Sequence, residues 1–206
     1  MTQNIMIMKK AAVVIICSLI AICSYSQEHI KFNGATFGKP LNEFIKGFPG
    51  STSSTSEYAP RGYNSNLCNW KCYNMKLNSQ NWECHIFSSR TTNTVFRTVS
   101  ANAFYGDLEN QLMLLVKTLE QKYGGGIQEK QENLGEVVYL HTYKKEMLAL
   151  YYYIKGSNGK RIGEIRISAA PTDKDAKSGY IELSYTDYSA QKLATREYNS
   201  LMRNAL

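Results

Sequence analysis

From Leu67 to Phe104 the sequence pattern changes to a period of two, and this constrains the fold more than any other feature of the chain. Trp82, Cys84 and Ile86 alternate with Glu83 and His85. Successive strand residues point to opposite faces, so this pattern predicts a half-buried strand. Asn78-Ser-Gln-Asn81 reads as the hairpin loop before it, and Arg90-Thr-Thr-Asn93 leads to a third strand with Val95, Val99, Ala101 and Ala103 on one face. The expectation is three antiparallel strands.

Helical patterns flank this run. Leu41, Phe44, Ile45 and Phe48 lie at i, i+3, i+4 and i+7 after Pro40, whose missing N–H suits a first helical position. Leu108, Leu112, Leu115, Leu119 and Tyr123 form a second stripe, with Asp107 as the expected N-cap and Gly124-Gly-Gly126 as the stop. Glu136–Tyr143, Met147–Ile154, Arg161–Ala169 and Gly179–Tyr188 then read as four strands. Ser189 is placed to cap a last helix with Ala194, Tyr198, Leu201 and Ala205 on its stripe. The order is helix, three strands, helix, four strands, helix. Runs of strands between single helices predict an α+β fold, with antiparallel sheet and helices packed on one face. The same order in residues 27–104 and 105–206 admits a tandem helix-plus-meander repeat within a single domain, 27–206.

Residues 1–26 read as a secretory signal peptide. Lys9 and Lys10 precede an uncharged run from Ala11 to Cys23, and Ser24 and Ser26 are small enough for the peptidase positions before Gln27. As a helix that run spans about 20 Å, short of a bilayer core of about 30 Å. Lipid anchoring at Cys23 is the competing reading, disfavoured because β-branched Ile22 stands where a lipobox carries a small residue. About 180 residues remain, enough for one core. The expected address is periplasmic or at the cell surface, with no transmembrane segment in the mature chain.

An oxidising address makes the odd count of Cys68, Cys72 and Cys84 worth noting. Cys68 and Cys72 on one strand would sit about 13 Å apart, beyond disulfide reach. Cys72–Cys84 across the turn is the expected pairing, Cys68–Cys84 the second, and three buried free thiols the third. Cys84 and His85 would point to opposite faces, which counts against a metal site built from the two.

The formal charge of +7 is interleaved rather than blocked, which reads as a solvated mixed surface, and no nucleic-acid partner is expected. There is no G-x-S-x-G and no H-E-x-x-H. The carboxylate pairs Asp173/Asp175 and Asp107/Glu109 sit where capping and solvation are their natural jobs. No catalytic residue, cofactor or metal is therefore assigned.

Tyrosine is the unusual component, fifteen in all. Tyr151-Tyr152-Tyr153 must place at least one ring away from the core, and Tyr139 and Tyr143 are expected on the neighbouring strand. Tyr139, Tyr143, Tyr151 and Tyr153 are thus a candidate binding surface, with the polar Ser51–Asn66 loop as a second. The expectation is a non-enzymatic module that binds an envelope protein. A small-ligand or glycan binder is the alternative, and a hydrolase or thiol enzyme using His85 or His141 comes third.

His29-Ile-Lys-Phe-Asn-Gly-Ala-Thr-Phe-Gly-Lys-Pro-Leu-Asn-Glu-Phe44 resembles the opening of a group of small exported proteins from Gram-negative gut anaerobes. Leu119-Glu-Gln-Lys-Tyr-Gly124 and Gly179-Tyr-Ile-Glu-Leu-Ser-Tyr-Thr-Asp187 continue the likeness. What it implies is an envelope address; the group brings no activity and no functional residue. The order of elements also looks like the tandem modules of β-lactamase-inhibitor-like and outer-membrane assembly lipoproteins, a likeness of architecture alone.

Overall fold

The computed structural model describes residues 28–48, 50–55, 68–139 and 142–204. The expected signal peptide with Cys23, most of the Ser51–Asn66 loop, and His141 lie outside them. The chain opens with a small hairpin, β1 (Lys31–Phe32) and β2 (Ala35–Thr36), turned by Asn33 and Gly34 at φ 46° and 89°. Helix α1 (Leu41–Lys46) follows, then a short strand β3 (Thr52–Ser54). The expected three strands are β4 (Cys68–Leu77), β5 (Gln80–Ser89) and β6 (Val95–Phe104). After helix α2 (Leu108–Tyr123) come β7 (Ile127–Gln128), β8 (Glu136–Tyr139), β9 (Thr142–Lys145), β10 (Leu148–Lys155), β11 (Arg161–Pro171) and β12 (Gly179–Asp187). Helix α3 (Tyr188–Asn204) closes the chain.

Eight strands form one antiparallel sheet in the order β3-β4-β5-β6-β12-β11-β10-β7. The fold class is α+β. The two strand runs meet at the β6–β12 pair, where Leu183 lies opposite Ser100. Outward from that seam each half repeats a three-strand meander and then a short edge strand, with a helix preceding that edge strand in sequence. The two runs pair antiparallel at the seam.

Ladder register assigns the faces. Trp82, Cys84 and Ile86 share one with Leu183, Ile167, Ile165 and Tyr152, and the main core is built there. Phe32, Phe37, Phe44 and Phe48 cover one part of it, with ring centroids 5.0–5.4 Å apart from Phe37 through Phe44 and Phe48 to Phe32. Leu108, Leu112, Val116 and Leu119 of α2 cover the rest. At Gly163 a Cβ would lie 2.6 Å from the Thr186 carbonyl oxygen and 2.8 Å from Ile30 Cγ2, so the opening segment can lie flat on the sheet only over a glycine.

Several local expectations are corrected. Helices α1 and α2 share the main-core face, but α3 packs Ala190 and Ala194 on the opposite one, against Phe87, Phe96 and Val99. No loop separates β12 from α3, so Tyr188 continues the strand's alternation and its hydroxyl donates to Glu164 on that second face at 2.8 Å. The cap of α3 is Asp187, which accepts from the Ala190 N–H, and not Ser189. Asp107 takes the side-chain amides of Asn110 and Gln111 instead of a backbone N–H. A bulge between Phe87 and Ser88 moves Val95 into the main core, away from Val99 and Ala101. The expected strand Glu136–Tyr143 is a separate hairpin, β8 with β9, outside the main ladder.

Candidate functional site

The sheet face opposite the main core carries the candidate site. Helix α3 crosses one end of it. Trp70, Tyr151, Tyr153, Glu164, Tyr180 and Glu182 stay half-exposed on the remainder. Two polar clusters stand at its two ends.

The first cluster rests on β10 and β11. Tyr151 pairs with Arg166 in the ladder, and Arg166 Nε donates to the Tyr151 hydroxyl at 3.1 Å. The guanidinium grips Glu146 with two nitrogens at 2.9 and 2.7 Å and reaches Glu129 at 2.9 Å. Glu146 is fully buried and accepts from the Gly135 N–H as well. Burial works to lower the Arg166 pKa, but the two carboxylates outweigh it and hold the guanidinium more firmly charged than usual. Burial raises the Tyr151 phenol, with Arg166 opposing. Tyr153 lies under the Arg161 guanidinium, 3.7 Å from ring centroid to carbon. Both tyrosines are therefore held in place by arginines.

The second cluster sits on β4 and β5. The turn between these strands is two residues long, Asn78 and Ser79, both with positive φ, so Leu77 pairs with Gln80. That register sets even positions of β4 opposite odd positions of β5. Cys72 faces His85, and Glu83 stands two residues before His85 on the same face. His85 Nε2 donates to Glu83 Oε1 at 2.6 Å, while His85 Nδ1 is buried without a hydrogen-bond partner. The indole of Trp70 lies 5.2 Å from the imidazole. Burial, and then the Glu83 charge, push the Cys72 thiol up to about 12 against an opposing hydrogen bond with Ser54. One ligand atom each from Cys72, Glu83 and His85 lies within 4.8 Å of the others.

Of the four tyrosines expected to form a surface, the structure brings Tyr151 and Tyr153 together. Tyr152 between them points into the main core. Tyr139 and Tyr143 belong to the β8–β9 hairpin and are not ladder neighbours of β10; their side chains lie outside the described residues. The Cys72–Cys84 disulfide is not formed. The same register puts Cys84 opposite Tyr73 on the main-core face, and Cys68, Cys72 and Cys84 are buried and not bridged by a disulfide. Burial pushes the Cys84 thiol up to about 12. Sequence reasoning missed Arg166 with Glu146 and Glu129, and missed Cys72 with Glu83 and His85. Only Glu83-x-His85 on a polar strand face was visible in advance, because the partners across the ladder depend on register.

A cavity of about 160 Å³ lies between β1–β2 and α2, lined by Phe32, Leu77, Leu115, Leu119 and Tyr185 among others. A polar depression of about 560 Å³ is bordered by Glu28, Ser157, Asn158, Lys160, Arg161 and Ser189. Among the described residues no helix is long and apolar enough to cross a membrane. Comparison with protein-family models, with curated proteins and with solved structures finds no match for the chain.

Proposed function

We propose that the protein is a non-enzymatic binding module of the cell envelope that docks a protein partner on the second face of its sheet. The observation that carries this reading is the pair Tyr151 and Tyr153, half-exposed and each held by an arginine. Rigid amphipathic rings offer contact area at low entropic cost, because their rotamers are set before the partner arrives. Trp70 and Tyr180 widen the same face. The periplasmic or surface address belongs to this proposal and rests on the leader-like opening of the chain.

A small-ligand or glycan site draws less support. The apolar cavity is below the roughly 300–1,000 Å³ of ordinary ligand sites, and the polar depression has no aromatic ring on its border. For a thiol enzyme, Cys84 is fully buried on the face away from His85, and the Cys72 thiol is held in its neutral form. Photo-crosslinkers placed at Tyr153 and Trp70, and at Glu43 as a control, test the docking face in native envelopes. The expected result is one shared protein adduct from Tyr153 and Trp70 that Glu43 does not give. Equal labelling from all three positions, or a glycan-array signal with no protein adduct, overturns the proposal.

A further inference from the structure

We propose that Cys72, Glu83 and His85 form a binding site for a divalent transition-metal ion of the zinc class. Backbone geometry already gathers the three ligands. Cys72 and His85 are direct partners in the β4–β5 ladder, and Glu83 follows the alternation onto the same face. Their ligand atoms lie within 4.8 Å of one another, the one such group among the described residues. A tetrahedral ion with bonds of about 2.0–2.3 Å spaces its ligands about 3.3–3.8 Å apart. Small side-chain rotations cover that difference, and the ion takes the place of the 2.6 Å hydrogen bond between His85 and Glu83.

Donor chemistry selects the ion. Thiolate, imidazole and carboxylate together suit Zn²⁺ and its borderline neighbours, whereas Ca²⁺ and Mg²⁺ ask for oxygen ligands. A divalent ion with one thiolate and one carboxylate makes a neutral site, which removes the cost of leaving net charge under the sheet surface. Binding releases the Cys72 thiol proton to solvent, and the sulfur lone pair it leaves forms the metal bond. Three protein ligands leave a fourth position for water on the side of Glu83, the most exposed of the three at 23 %.

The His85 side chain is more than nine-tenths buried and its Nε2 is already turned to Glu83, so the ring needs little reorganisation to become a ligand. The indole of Trp70 shields one side of the ring. This site stands at the β4–β5 end of the sheet, apart from the tyrosines of β10, so it can hold or fail without deciding the docking proposal.

The test uses untagged protein, reduced and stripped with chelator, then titrated with Co²⁺ as a spectroscopic substitute for Zn²⁺. Expected are one ion per chain, a near-ultraviolet thiolate-to-cobalt charge-transfer band and visible bands of tetrahedral intensity, all displaced by Zn²⁺. Cys72→Ser abolishes the charge-transfer band, while Cys68→Ser and Cys84→Ser keep it. Glu83→Gln and His85→Gln weaken Zn²⁺ binding at least tenfold in competition with a chromophoric chelator. Absence of the band in the wild-type chain overturns the proposal without reference to any variant. So does a band that survives Cys72→Ser, or Ca²⁺ competing as well as Zn²⁺.

Discussion

Asp187 is fully buried and serves three donors with one carboxylate. It accepts from the Ile30 N–H at 2.9 Å, from His29 Nδ1 at 3.1 Å and from the Ala190 N–H at 2.8 Å. Removing it would strand two buried backbone N–H groups at about 1–3 kcal/mol each. Asp187→Ala is therefore expected to lose about 3 kcal/mol or more of unfolding free energy by urea titration, with Asp187→Asn losing less. An unchanged midpoint would show that the N-terminal segment and α3 are held elsewhere. Little of this was legible in the chain. Ser189 is an equally good capping residue by type, and the choice between them turns on where β12 ends, which is a matter of pairing. Cys72 and His85 show the same limit: each was visible alone, and only the register of the turn makes them neighbours.

At the scale of elements, the long periodic segments could be read directly. Helix α2 and strands β5 and β12 carry stripes or alternations longer than a turn's worth of residues, and each lies where its pattern places it. Strands β3 and β7 are two or three residues long, too short to show any period, and they exist because a longer neighbour offers hydrogen bonds. The β4–β5 turn has Ser79 at φ 65°, a conformation that favours glycine. Ser79→Gly should raise stability by about 0.5–1 kcal/mol in urea unfolding, while a loss would mean that the serine side chain supports the turn. Helix α3 is tied to the β5–β6 turn by Glu197, which accepts from the Thr92 hydroxyl at 2.6 Å and from the Thr91 and Thr92 N–H groups. Burial would raise this carboxyl, but the Thr92 and Ser89 hydroxyls and the backbone donors outweigh it and hold its pKa below 4.5. Its folded value is thus lower than its unfolded one. The stabilisation is present at neutral pH and is lost as pH falls through the folded value. Glu197→Gln should be less stable than wild type at neutral pH, and the gap in urea midpoint should close in acid; a gap independent of pH would remove the charge from the account.

For the molecule as a whole, the seam between β6 and β12 is the organising contact, and nothing in either half announces it, because both strands alternate like any other. The two runs of strands between helices were readable; the way the runs join was not. Cutting there leaves a long open edge. Residues 105–206 expressed alone expose the β12 edge over Gly179–Thr186, and are expected to self-associate through it, as measured by light scattering after gel filtration. A stable monomer would show that the second half folds without its partner strand. The seam also has a consequence in time. Asp187, which anchors Ile30, lies 157 positions further along the chain, and β6 waits for a strand more than seventy residues downstream. A chain emerging N-terminus first must keep its first meander half-covered until the last strand arrives, since non-local contacts form only after their closure entropy is met. The opening segment is the first part of the domain to appear and the last to find its place.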